Sequence, residues 1–166
     1  DRLEAAMARC LADLALRCHE VAAVRLDDID WSAGTLDIRQ AKCHRVDRLP
    51  LPAITRSALV DYLRQGRPPT TSRAVFVYHR APCGVGVQNT TVRGAVRRAY
   101  GRAQLAFTGT HILRHTAATR MVRQGIPIKT VADVLRHRSI DTTMIYAKVD
   151  LPQLSGVALP WPESQS

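Results

Sequence analysis

The chain is poor in cysteine patterning, in lysine, in long apolar runs and, over a third of its length, in acids. Its four cysteines, Cys10, Cys18, Cys43 and Cys83, show no C-x-x-C spacing, which argues against a zinc ribbon or a disulfide framework and reads as free thiols of a reducing compartment. No apolar run approaches the roughly 20 residues that a membrane span needs, and the start has no secretory core. A soluble protein with no membrane partner is expected. The first residue is Asp1 rather than Met, so the chain reads as a piece of something longer. Its 166 residues, 46% of them hydrophobic, suit one globular domain that buries roughly 70% of its unfolded surface without a metal or a disulfide. Internal repeats and low-complexity segments are absent.

What is abundant is arginine, at 21 residues against 3 lysines. Residues 80 to 138 hold ten Arg and one Lys against the single acid Asp133, while the rest of the chain balances at thirteen of each sign. The whole formal charge of +10 therefore sits in one stretch. A basic block inside a folded segment points to a polyanion, with nucleic acid the leading candidate. A merely solvated surface in an Arg-rich proteome is the bland alternative.

Periodicity predicts helices at 3–15, 17–24 and 53–64, two strands at 35–39 and 46–49 joined by the polar loop AKCHR, and a short apolar strand at 74–78. A helix at 90–103 carries Arg93, Arg97 and Arg98 on its polar side. Further helices are expected at 111–124, closed by Gly125, at 126–135, opened by Pro127, and from 141 to 147. The expectation is an α+β fold, mainly helical, with a small antiparallel sheet on one side.

In THILRHTAATRM, His111, Arg114 and His115 fall at i, i+3 and i+4 and share a helix face. The H-x-x-x-H pair suits Zn²⁺ by spacing, but Ile112 stands where a metalloprotease has Glu and no third ligand is near, so no metal is expected. Ordinary hydrogen-bonded histidines fit the same pattern. Further along, His137 precedes Tyr146 by nine residues in a segment dense in Thr, Arg and Lys. Such cations stabilise anionic phosphorus transition states and a developing phenolate, while a core aromatic is the commoner fate of a helical Tyr.

Taken together, four segments resemble the boxes of the tyrosine recombinases, or phage-type integrases, in their C-terminal catalytic domain. ALRCHEVAAVRLDDID resembles G-L-R-x-x-E-L-x-x-L-x-x-x-D-I, and AKCHRVDRLPL resembles K-x-x-x-x-x-R-x-x-P-L. HILRH resembles H-x-L-R-H, and LRHRSIDTTMIYAKV resembles L-G-H-x-x-x-x-T-T-x-x-Y. Ala15 and Arg136 stand where that pattern has Gly. The resemblance implies catalytic roles for Arg17, Lys42, His111, Arg114, His137 and the nucleophile Tyr146, with Glu20 orienting Arg17.

It further implies metal-free cleavage and rejoining of double-stranded DNA through a 3′-phosphotyrosyl link, with no cofactor. Self-assembly on DNA as a tetrameric synapse from an isolated monomer, in a prokaryotic cytoplasm, is also implied. Arg93, Arg97, Arg98, Arg120 and Arg123 are expected to contact the phosphate backbone, and Gln88 and Asn89 to reach base edges. Residues 1–150 are expected to form the catalytic domain and 151–166 a docking tail, with the family's N-terminal DNA-clamping domain missing from the chain. A type IB topoisomerase-like enzyme and a non-catalytic DNA-binding remnant are the alternatives.

Overall fold

The first helix, α1 (Arg2–Asp13), starts where the Asp1 carboxylate accepts the Leu3 N–H at 3.0 Å, a cap worth about 1 kcal/mol. Leu3, Ala6, Met7, Cys10 and Leu11 then recur on one buried face. Burial pushes the Cys10 thiol up to about 12, so it packs as a small hydrophobe. The structure is a computed structural model that describes residues 1–39, 46–107 and 109–136. After α1 come α2 (Cys18–Ala23), a 3₁₀ turn, and a sheet of β1 (Ile29–Asp30), β2 (Thr35–Arg39) and β3 (Val46–Pro50). The helices α3 (Ala53–Asp61), α4 (Asn89–Arg102), α5 (His111–Arg123) and α6 (Ile128–Leu135) follow. The expected α+β class, mainly helical with a small antiparallel sheet, is what is found. No helix among the described residues is long and apolar enough to cross a membrane.

The sheet runs β1-β2-β3, antiparallel throughout, with Ile29 opposite Leu36 and Leu36 opposite Leu49. Leu36, Ile38 and Leu49 point into the core, and on the other face Asp37 pairs with Arg48 at 2.7 Å directly across the strands. This is the period-2 alternation of a sheet covered on one side. The two-residue β1 was not expected, because its Asp30 also builds the following turn by accepting the Ser32 and Ala33 N–H groups, and the turn chemistry masks the strand.

Two expected elements differ. The segment 74–78 bends at Val75 and Phe76, which with Val77 are fully buried, and it makes only isolated bridges, Arg25 to Ala74 and Val77 to Gly86. Its neighbours are a helix exit and a Gly/Pro loop, too short to build a ladder. Carbonyls that a ladder would have satisfied go to the Arg67 guanidinium, which donates to Ser72, Ala74 and Val75. The helix at 53–64 instead ends at Asp61 and widens into a π turn, Tyr62–Gly66. That turn seats the fully buried Tyr62 against Phe76, ring centroids 5.6 Å apart.

The chain divides into two compact units, Asp1–Ala117 and Ala118–Ser166. The first holds one hydrophobic cluster formed by α1, α2, the sheet, Leu59, Tyr62, Phe76 and the inner face of α4. In the second, α5 closes with Gly125 in the left-handed region at φ +76°, and Pro127 opens α6, whose Val131, Ala132 and Leu135 are buried. The expected helix from 141 to 147 and the tail lie outside the described residues.

Candidate active site

Arg17 stands at the head of α2 with extended backbone, φ −83° and ψ 156°. One Glu20 oxygen accepts the Arg17 backbone N–H at 2.7 Å and the other accepts its guanidinium at 2.9 Å. A single carboxylate thus satisfies an open amide at the helix start and fixes the direction of the guanidinium. Glu20 is buried, which strengthens the pair beyond an exposed i to i+3 contact.

Just upstream, Ala15 is fully buried and lies in the left-handed region at φ +50°, a conformation that costs a residue with a Cβ roughly 1–2 kcal/mol. The bend has a use: the Ala15 carbonyl accepts from the Arg114 Nη1. Arg114, on α5, is only 7% exposed, so this backbone partner helps to hold a buried guanidinium in one orientation. At the start of the same helix, Thr110 Oγ1 accepts from the Cys18 thiol at 3.1 Å. These two links bring the first turn of α5, and with it His111 and Arg114, to the start of α2.

The result is a cavity of about 530 Å³ walled by Arg17, Cys18, His19, Asn89, Arg93, Thr110, His111 and Arg114, with Leu11 and Leu16 behind them. Three guanidiniums and two imidazoles face one space, and among the described residues none of its walls is a carboxylate. Such a site attracts anions, and planar forks favour phosphate oxygens over a point charge. His115 is exposed and is not one of the walls, so the two histidines of the H-x-x-x-H pair do not converge there.

Of the anticipated residues, Arg17, Glu20, His111 and Arg114 are brought together, and Arg93 joins them from α4. Arg97 is exposed on α4. Arg98 turns the other way: its Nε donates to Glu4 at 2.6 Å, and Arg102 Nη2 lies 2.5 Å from the second Glu4 oxygen. Burial pushes the Glu4 carboxyl up, yet the hydrogen bonds and charges of Arg98 and Arg102 outweigh it and leave it below the ordinary carboxylate value. Arg120 and Arg123 are exposed in the second unit. Lys42, His137 and Tyr146 lie outside the described residues.

Cys18, His19 and Thr110 escaped sequence reasoning, since nothing in their spacing marks them as walls. The role of Ala15 did leave a trace, because the resembling motif has Gly there. Arg136, the other position where that motif has Gly, is also left-handed, at φ +53°, and caps α6. Both departures therefore keep the backbone conformation that Gly would adopt without strain.

A family model described as the phage integrase family matches residues 2–151. An integrase/recombinase-type protein of Sinorhizobium fredii, y4rA, is 43% identical over 159 residues, which cover 95% of this chain and 38% of that protein. The tyrosine recombinase XerA of Pyrococcus furiosus is 31% identical over 139 residues, 84% of this chain and 48% of its own length. A crystal structure of the XerH site-specific recombinase bound to difH substrate, in a pre-cleavage complex, shares the fold with a TM-score of 0.78. Its identity is 22%, over 98% of this chain and 48% of that one. The chain thus spans less than half the length of these relatives. With the family match running over nearly all of it, and the boxes that first suggested the resemblance lying inside that match, the chain belongs to the phage integrase family, the tyrosine recombinases.

Proposed function

We propose that this chain is the catalytic part of a site-specific DNA recombinase that cuts and reseals double-stranded DNA through a 3′-phosphotyrosyl intermediate. The observation that carries this reading is the cavity, without a carboxylate wall among the described residues, in which Arg17 and Arg114 are each oriented, one by Glu20 and the other by the Ala15 carbonyl. Two preset guanidinium forks match the two non-bridging oxygens of a phosphodiester and stabilise the charge that builds on them in the transition state. The guanidiniums supply the charge that a metal ion brings to other phosphoryl-transfer sites.

In this reading Tyr146 attacks the scissile phosphorus in line. A bond forms between its phenolic oxygen and phosphorus while the bond to the 5′ oxygen breaks. Lys42 protonates the departing 5′ oxygen, His111 takes part in moving the proton of the nucleophile, and His137 donates a hydrogen bond to the phosphate. Because the ester keeps the energy of the broken bond, a 5′-hydroxyl from another strand reseals it by the reverse step. Residues 1–150 would make up this catalytic domain, Arg93, Arg97, Arg120 and Arg123 would lie along the DNA backbone, and residues 151–166 would dock during assembly of a tetramer on DNA. In this reading the protein works on DNA in a prokaryotic cytoplasm. The test is a duplex nicked close to the scissile bond, which loses its 5′-hydroxyl fragment and traps the intermediate. The chain should accumulate a covalent adduct, and Tyr146→Phe should bind the same duplex without forming one. Equal adduct from Tyr146→Phe would overturn the reading.

A further inference from the structure

α4 arrives at the cavity with its N-terminal turn. Asn89 and Arg93 sit one turn apart on its wall, and neither makes a side-chain hydrogen bond or ion pair with any described residue. The helix also begins without a side-chain cap, so its first backbone amides stay open at the positive end of a 14-residue helix. Arg17 and Arg114 differ in kind, since each is already held by a protein acceptor.

The Arg93 guanidinium is offset by no carboxylate among the described residues, and a phosphodiester brings one negative charge and two non-bridging oxygens. Those oxygens are matched by the Arg17 and Arg114 forks, so Arg93 is surplus to the scissile group. The volume, about 530 Å³, falls in the range of pockets that enclose a ligand well beyond the size of one phosphate. In a DNA strand the next phosphate follows at one nucleotide, a rise of about 3.4 Å. We propose that Asn89 and Arg93 at the start of α4 form a second phosphate subsite, which takes the phosphodiester next to the scissile one on the same strand. Holding two consecutive phosphates fixes the direction of the strand as well as its position, and so aligns the scissile bond for in-line attack.

This subsite rests on the recombinase reading above, and the experiment separates the two. Duplexes are made with a neutral methylphosphonate in place of the phosphate immediately 5′ or immediately 3′ of the scissile one, and each is compared with all-phosphate DNA for wild type, Arg93→Ala and Arg93→Lys. Arg93 is exposed and without a partner among the described residues, so the substitutions leave the fold intact, as a thermal melt verifies. On all-phosphate DNA, Arg93→Ala should weaken binding and slow adduct formation about 10- to 30-fold, with Arg93→Lys recovering most of it. At one of the two neighbouring positions, methylphosphonate should impair the wild type by a similar factor and Arg93→Ala scarcely further. Effects that multiply at both positions would overturn the subsite, as would coupling of Arg93 to the scissile phosphate instead. Equilibrium affinity measures the same coupling without cleavage. If the wild type forms no adduct on any duplex, the recombinase reading falls while the affinity cycle still decides the subsite.

Discussion

The two ends of α4 treat the same residue type in opposite ways. At its C-terminal end Arg98 and Arg102 converge on the buried Glu4 of α1, whose one negative charge offsets half of theirs. At its N-terminal end Arg93 faces a cavity that, among the described residues, has no carboxylate wall and gives it no protein partner. Composition counts these arginines alike, but their surroundings divide them into cations that hold the fold and cations left for a ligand. The basic stretch is therefore less free than its formal charge implies. Of its arginines, Arg93 and Arg114 stand in the cavity with Arg17 and His111.

The sharpest way to break this contrast is to disturb a guanidinium that is both held and directed at the ligand. Arg114→Lys keeps the charge but loses the fork and the geometry of its bond to Ala15, and should slow adduct formation by about 10²- to 10³-fold. Arg114→Ala should be slower still, and should lower the urea midpoint by the equivalent of about 1–3 kcal/mol, because it leaves a buried carbonyl unpaired. Single-turnover rates and urea titrations measure the two effects separately.

Next in size is a change that would make the two ends of α4 alike. Glu4→Gln should destabilise the protein by about 1–2 kcal/mol by removing a charged acceptor of two arginines. At the same time it releases Arg98 and Arg102, so the slope of log affinity for DNA against log salt should steepen by up to about 2. A stability loss without a steeper slope would mean that the freed arginines do not reach the backbone.

The contrast should also fade with acid. The folded-state value of Glu4 is depressed below its ordinary value of 4.5. Its stabilisation is therefore complete above that value and is lost as pH falls through the lower, folded one. The stability difference between wild type and Glu4→Gln should shrink over that window, and an unchanged difference down to about pH 2 would deny that the carboxylate charge is what holds Arg98 and Arg102.

The smallest expected effect concerns the bend behind Arg114. Ala15→Gly relieves a left-handed Cβ with no loss of the carbonyl, and should stabilise the chain by up to about 1 kcal/mol with adduct rates unchanged. Ala15→Val should lower both, since a β-branched residue resists that conformation.

These contacts also show what the sequence makes legible. Arg17 with Glu20, and His111 with Arg114, were readable because one helical turn fixes each pair. The helices, and the strands 35–39 and 46 onwards, were readable from their periods. The Glu4 to Arg98 pair joins residues 94 apart in sequence and leaves no local pattern, so the part Arg98 plays in holding α1 cannot be read before the fold closes. In sequence, segment 74–78 looks like a strand because its residues are apolar and partly β-branched, and only its neighbours decide that no ladder forms. His19 and Thr110 reach the cavity through turns at Ala15 and Gly109 that redirect the chain.

In the proposed mechanism the cavity presents a DNA phosphodiester to Tyr146. The most direct test is to digest the covalent adduct formed on nicked duplex and identify by mass spectrometry the residue and the DNA end that are joined. The expected product is a single adduct, the 3′-phosphoryl end on the Tyr146 oxygen with the 5′ end released as a hydroxyl, and it should be lost in Arg17→Ala and Arg114→Ala. An adduct on another residue, attachment through the 5′ end, or undiminished adduct without those two arginines would contradict the mechanism.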